Sequence, residues 1–235
     1  KEVRWARSDD ERAAIDARVD ALLAGPLTAD AAVQVALLNN RGLQASFDEL
    51  GIAEAGLVQA GRLPNPGFGF GRLRRGDETE IERSLHFDLA WLLAMPMVRE
   101  MESRRFERVK REAAAAMLAL AADTRKAWVA AVAAEQSVRY MGQVREAADA
   151  SAELARRMAR AGNWNKLQQA REQGFYADAA LGLARAERLR DATRERLTRL
   201  MGLWGGQTQF RLPERLPDLP EAPLDMPDVE RRAIA

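Results

Sequence analysis

Apolar positions recur at helical spacing over most of this chain. Between Ser8 and Ala24 the residues Ile15, Val19, Leu22 and Leu23 form one stripe, with Ser8 or Asp9 as the cap and Gly25-Pro26 as the stop. Thr28 opens a second helix, expected over about Ala29 to Gly61, whose apolar side carries Val33, Leu37, Leu38, Leu43, Phe47, Leu50, Ile52 and Leu57. The stretch "LPNP" ends it: Pro64 and Pro66 lack an N–H and restrict the residue before them.

The period then changes to two. From Glu80, the residues Ile81, Leu85, Phe87, Leu89 and Trp91 fall on one side, with Arg83 as the break. Glu80, Glu82, Ser84, His86 and Asp88 fall on the other. Phe68 and Phe70 alternate with glycines on the preceding strand, and Gly76-Asp77 supplies the turn of a hairpin. A strand of about ten residues with one apolar and one polar face is what a transmembrane β-barrel uses. Trp91 then serves as an interfacial anchor. The same alternation also fits a two-stranded ribbon laid on the helices of a soluble protein. A lone hairpin cannot close a barrel, so the barrel reading predicts an oligomer.

Helical spacing resumes from about Val98 to Ala161, roughly 95 Å of helix without a proline. A heptad count puts Phe106, Ala113, Leu120, Ala127, Ala134, Met141, Ala148 and Ala155 on one seam. Companion positions three residues on are Val109, Ala116, Ala130, Ser137, Val144, Ser151 and Met158, with Asp123 as the polar exception. "AGNWNK" makes a turn: Gly162 suits a left-handed cap, and Asn163 or Asn165 the next N-cap. A returning helix from Lys166 to Trp204 carries Phe175, Ala179, Gly182, Ala186, Leu189, Thr193, Leu197 and Leu200 at steps of three and four. So short a turn makes the two helices antiparallel. Gly205-Gly206 ends the second, and "RLPERLPDLPEAPLDMP" reads as an extended arm. The fold class is therefore mainly α: a long antiparallel coiled-coil hairpin, a shorter helix and one β-hairpin contributing to an oligomeric transmembrane barrel.

Composition narrows the function. Among 235 residues, 36 basic side chains meet 35 acidic ones, a net of +1, so the basic excess of a nucleic-acid binder is missing. There is no cysteine, hence no disulfide or thiolate chemistry. No apolar run has the length of a transmembrane helix, and no signal-peptide pattern is present at Lys1. The single histidine, His86, has no partners for a catalytic dyad or a zinc site. "GFGFG" lacks the strand and helix that frame a phosphate loop. Met95, Met97 and Met101 cluster at the strand-to-helix junction, in the first place a flexible apolar packing device and only a weak candidate for a soft metal. No cofactor and no catalytic residue is expected.

Two passages carry a family resemblance. "AAVQVALLNNRGLQASFDELGIAEAGLVQAGRLPNPGFGFG" and "ARAGNWNKLQQAREQGFYADAALGLARAERLRDATRERLTRLMGLWG" resemble, in order and spacing, the TolC-like outer-membrane efflux proteins. The resemblance covers most of Pro26 to Glu221. It implies a trimeric duct with a β-barrel in outer-membrane lipid and an α-barrel across the periplasm, each protomer holding two repeats. Only one repeat is present here, and "PDVERRAIA" resembles the start of a second, so the chain reads as the N-terminal half. The implied layout is a periplasmic arm over 1–27, a first helix over 28–62, the barrel hairpin over 63–97, the helical hairpin over 98–204 and a proline-rich linker over 205–235. By the same resemblance the tip near 160–167 meets a periplasmic adaptor linked to an inner-membrane pump. Arg160, Ala161, Gly162, Asn163, Trp164, Asn165 and Leu167 stand there. Independently, Trp164 at a helix turn either docks on a partner or staples its own hairpin end.

The implied function is a passive exit duct for drugs, metal ions or secreted substrates in a tripartite efflux or type I secretion system. The alternative is a periplasmic coiled-coil adaptor without a channel. Adaptors bracket their helical hairpin with strands on both sides, whereas strands occur here on one side only.

Overall fold

The structure, a computed structural model, describes residues 3–5, 8–219, 221–222, 228 and 231. Five helices and two strands follow in order: α1 (Asp9–Leu23), α2 (Ala29–Asn39), α3 (Arg41–Ala60), β1 (Gly67–Arg75), β2 (Glu78–His86), α4 (Leu89–Arg160) and α5 (Lys166–Met201). A 3₁₀ turn, Gly205–Gln209, comes after α5. The expected class, long helices with one β-hairpin, is the one observed. The chain forms two compact units. One holds Lys1–Gly25, Ala29–Lys126 and Leu197–Phe210; the other holds Pro26–Thr28, Ala127–Arg196 and Arg211–Ala235.

In the first unit α1 begins where Ser8 Oγ accepts from the Glu11 N–H at 3.3 Å. The single helix expected over 29–61 is broken at Asn40, whose backbone is extended (φ −67°, ψ 120°). The cause is local chemistry. Asn40 Oδ1 accepts from the Leu43 N–H at 3.0 Å and so starts α3, while its Nδ2 donates to the Leu200 carbonyl at 2.9 Å. Asn39, fully buried, donates to the carbonyls of Met201 and Gly202 and accepts from Arg12 at 2.8 Å. The two asparagines thus satisfy the last carbonyls of α5, which a helix end otherwise leaves unpaired.

Val33 and Leu37 of α2 and Leu43 and Phe47 of α3 form the core of this unit, with Met117, Leu120 and Ala121 of α4 packed on it. Trp5 completes the core from the N-terminal segment. Its indole N–H donates to Asp48 at 2.9 Å, and its ring lies so close to Gly51 that a Cβ there would fall 2.6 Å from it. Neither partner of this contact stood out in the sequence.

α5 ends at Met201, three residues earlier than expected. Gly202 takes a left-handed φ of +66°, its N–H bonds to the Arg199 carbonyl, and the Leu203 N–H bonds to Thr198. That is a Schellman cap, with Leu203 buried behind it. Trp204 is consequently outside the helix and 73% exposed.

The second unit is a helical hairpin. Ser151 donates to Glu172 at 2.7 Å, Gly182 faces the Met141 sulfur, and Arg194 approaches Glu135 at 3.9 Å. These pairs step along α4 and α5 in opposite directions, so the helices are antiparallel. Ala127, Ala134, Ala148 and Ala155 are buried, as the heptad count requires. The companion seam is different. Ala130 and Ser137 are exposed, whereas Ala131 and Ala152 are buried. The inner companions therefore sit four residues after the seam at Ala131 and Ala152, whereas Val144 keeps the offset of three with Arg145 exposed; a 3.6-residue turn admits either offset. Phe175 and Leu189 of α5 are likewise exposed, and Ala179 and Ala186 face inward. Small residues permit close approach, and each contact buries little area.

Leu27, flanked by the short bridge between Pro26 and Arg211, is fully buried, and its carbonyl accepts from the Trp128 indole at 2.8 Å. The proline-rich arm continues along α4: Arg139 donates to the Glu214 carbonyl, and the Leu216 N–H to Gln136. Its first part is thus docked rather than free. Most of "PDVERRAIA" lies outside the described residues.

Candidate membrane ribbon and helical tip

The hairpin is a two-residue turn between nine-residue strands. Gly76 takes φ +61° while Asp77 does not have a positive φ, the pattern of a type II′ turn. The register pairs Phe68 with Leu85, Phe70 with Arg83, Arg72 with Ile81 and Arg74 with Thr79 on one face. On the other face Gly67, Gly69 and Gly71 stand opposite His86, Ser84 and Glu82, and Glu80 and Glu78 follow toward the turn. Glycine is required at 69, where a Cβ would come within 2.3 Å of the Ser84 hydroxyl. No other strand pairs with this ribbon among the described residues.

The apolar residues of the first face are not covered by the chain's own helices. Phe68 is 70% exposed, Phe70 63%, Ile81 51% and Leu85 62%. Phe87 and Leu89, 64% and 69% exposed, continue the apolar band. The strand itself, however, stops at His86, which corrects the expected run to Trp91. Phe87 lies just past the strand, and Leu89 and Trp91 belong to the first turn of α4. Asp88 is the reason: its carboxylate accepts from the Trp91 N–H at 2.9 Å and caps the helix.

Trp91 is half-buried, in a cleft of about 450 Å³ lined by Gly56, Gln59, Leu63, Pro64, Val98 and Glu102. Its indole N–H is enclosed there without a hydrogen-bond partner, and one Glu102 oxygen, likewise without a hydrogen bond, lies 3.6 Å from the Arg105 guanidinium. Pro96 is accommodated near the start of α4. Met95, Met97 and Met101 are consequently all helical. Met97 and Met101 lie one turn apart and exposed, while Met95 points to a different side, so the three thioethers do not converge. Among the described residues no cluster of His, Cys, Asp or Glu is arranged to hold a metal, and no helix is long and apolar enough to cross a membrane.

The tip is set by two caps. Gly162 has φ +78°, its N–H bonds to the Ala159 carbonyl and that of Asn163 to Met158 at 2.9 Å, a second Schellman motif. Asn165, not Asn163, starts α5: its Oδ1 accepts from the Gln168 N–H at 2.9 Å, and Gln168 Oε1 accepts from the Asn165 N–H at 3.0 Å. That reciprocal pair is a capping box. Arg160, Ala161, Gly162, Asn163, Asn165 and Leu167 are exposed, and Trp164 is half-buried. Behind the tip, Glu153 is held below the ordinary carboxylate range, first by the hydrogen bond from Arg157 and then by the charge of Arg156.

Three solved structures share this architecture. A membrane protein from Pseudomonas aeruginosa superposes with a TM-score of 0.64 over 74% of this chain and 44% of its own, at 20% identity. CusC, whose structures concern folding and transmembrane channel formation, gives 0.66 over 84% and 48%, at 16% identity. The Campylobacter jejuni CmeC outer membrane channel gives 0.69 over 94% and 49%, at 14% identity. The chain shares the fold of these three structures. It spans about half the length of each of these structures. No family model and no curated protein sequence matches it.

Proposed function

We propose that this chain is one repeat of an outer-membrane efflux channel, a passive conduit in which the hairpin supplies barrel strands and the α4–α5 pair supplies a periplasmic duct. The observation that carries this reading is the ribbon. One face carries exposed Phe68, Phe70, Ile81 and Leu85 toward its helix end and middle, with Arg72, Arg74 and Arg83 among and beyond them, the other face is mostly polar, and among the described residues both edges are open. In water an apolar face of that kind is an aggregation hazard. In a bilayer it is the outer surface of a barrel, and the edges are closed by strands of other repeats.

The remaining parts follow from the same reading. Residues 1–27 form a periplasmic arm, 28–62 the first helix, 63–97 the barrel segment, 98–204 the duct hairpin and 205–235 a linker toward a second repeat. Three two-repeat protomers, or six copies of a single repeat, complete the ring. The tip at Arg160–Leu167 is the surface for a periplasmic adaptor coupled to an inner-membrane pump, with Trp164 as the anchor. Substrates pass without bond chemistry, and the pump supplies the energy.

Planar-bilayer recording tests this reading. The protein solubilised from outer membranes is expected to give discrete conductance steps and a detergent-corrected mass at a multiple of the protomer. A monodisperse monomer without conductance would favour the adaptor-like coiled coil.

A further inference from the structure

The charges of the ribbon are largely sorted by face: among its basic residues only Arg75 stands in register with an acidic one, Glu78. Arg72, Arg74 and Arg83 share the face of Phe68, Phe70, Ile81 and Leu85, whereas Glu78, Glu80 and Glu82 lie on the opposite face. Cross-strand opposite charges stabilise a ribbon, and this sequence has the residues to make them. Instead Arg72 stands opposite Ile81, Arg74 opposite Thr79 and Arg83 opposite Phe70. All three arginines are exposed, and none forms an ion pair with a described residue. They are also graded along the strands. Phe68 and Leu85 occupy the helix end of this face, Arg83 stands beside Phe70 in the next row, and Arg72 and Arg74 approach the turn.

Resting on the conduit reading, we propose that Arg72, Arg74 and Arg83 bind the phosphate groups of lipid headgroups in the leaflet at the hairpin's turn end. An arginine on the lipid side of a barrel is strongly unfavourable at the bilayer midplane and nearly neutral at the interface. Arg72 and Arg74 on the lipid side therefore belong in the headgroup layer, with Phe68 and Leu85 in hydrocarbon and Arg83, one row deeper beside Phe70, extending its long side chain toward the same headgroups. Guanidinium groups match phosphate oxygens two at a time, so a phosphorylated glycolipid supplies the partners that the ribbon itself withholds. The acidic face, turned to the lumen, stays in water and does not compete for them.

The test compares the full chain on two kinds of vesicle, pure phosphatidylcholine and phosphatidylcholine doped with diphosphorylated lipid A. Flotation titrations give the affinity, and protease protection of the hairpin reports insertion. Each arginine near an anionic surface contributes about fivefold, so the lipid A vesicles are expected to bind on the order of a hundredfold more tightly. The R72Q/R74Q/R83Q variant is expected to lose that preference while still inserting into phosphatidylcholine. The E78Q/E80Q/E82Q variant is expected to keep the preference. Insertion into both vesicles with equal affinity would overturn the headgroup proposal and leave the conduit reading standing. So would a preference that survives in the arginine variant, or one abolished by inorganic phosphate at constant ionic strength, which marks a soluble-phosphate site instead. Absence of insertion in either vesicle would overturn both.

Discussion

Replacing Gly202 by alanine probes how closely α5's end is seated. Two costs add at this position. The backbone is left-handed, φ +66°, which disfavours alanine by about 1 kcal/mol. The new Cβ would also lie 2.5 Å from the Asn39 carbonyl oxygen and 3.0 Å from its carbon, roughly an ångström inside ordinary contact. Both atoms belong to the backbone, so α2 and the α5 terminus must separate. That separation strains the bonds from Asn39 to Met201 and Gly202 and from Asn40 to Leu200, each worth about 1 kcal/mol. The expected total is about 3–4 kcal/mol for Gly202→Ala. Gly205→Ala is the matched control: φ is +56°, and nothing lies within 4 Å of the added carbon, so only the backbone cost of about 1 kcal/mol remains. Urea unfolding of both variants, followed by circular dichroism, gives the difference. Equal midpoints for the two would refute the close approach of α2 to the α5 cap.

At the tip, Asn165→Ala removes the capping box and is expected to destabilise the start of α5 by about 1 kcal/mol, read as faster amide exchange at Leu167 and Gln168. Arg157→Gln is expected to raise the titration midpoint of Glu153 toward its ordinary 4.5, measured by carboxyl carbon NMR. Because this carboxylate titrates low in the folded chain, its contribution is present above 4.5 and is lost as pH falls through the lowered midpoint, and salt weakens it. Trp164→Ala is expected to weaken binding of an adaptor hairpin roughly thirtyfold without changing the helical circular dichroism, checked by calorimetry.

Much of the architecture was legible because its determinants are local. The shift from helical spacing to alternation at Glu80, the Gly76-Asp77 turn and the Gly162 cap each act over a few residues, and each is where the pattern put it. Errors arose where one polar side chain outweighed a longer pattern. Asn40 cuts a helix whose apolar stripe runs on without interruption, and its bond to Leu200 reaches across 160 residues. Asp88 converts the last two members of an alternating row, Leu89 and Trp91, into a helical turn. Gly202 ends α5 before the more conspicuous Gly205-Gly206 pair because its neighbour is the Asn39 backbone. The heptad frame found the buried alanines and missed the inner companion, since an offset of three or four is chosen by the partner helix. The sorting of the ribbon's arginines and glutamates also needed the strand register, which sequence spacing alone does not supply.

The central claim is that the two faces of the ribbon meet different media. Spin labels placed singly at Phe70, Leu85, Glu82 and Ser84 in the membrane-reconstituted protein measure this directly, by relaxation with oxygen, which concentrates in lipid, and with a water-soluble nickel chelate. Labels at positions 70 and 85 should respond to oxygen, and those at 82 and 84 to nickel. The same nickel response at all four positions would contradict the account.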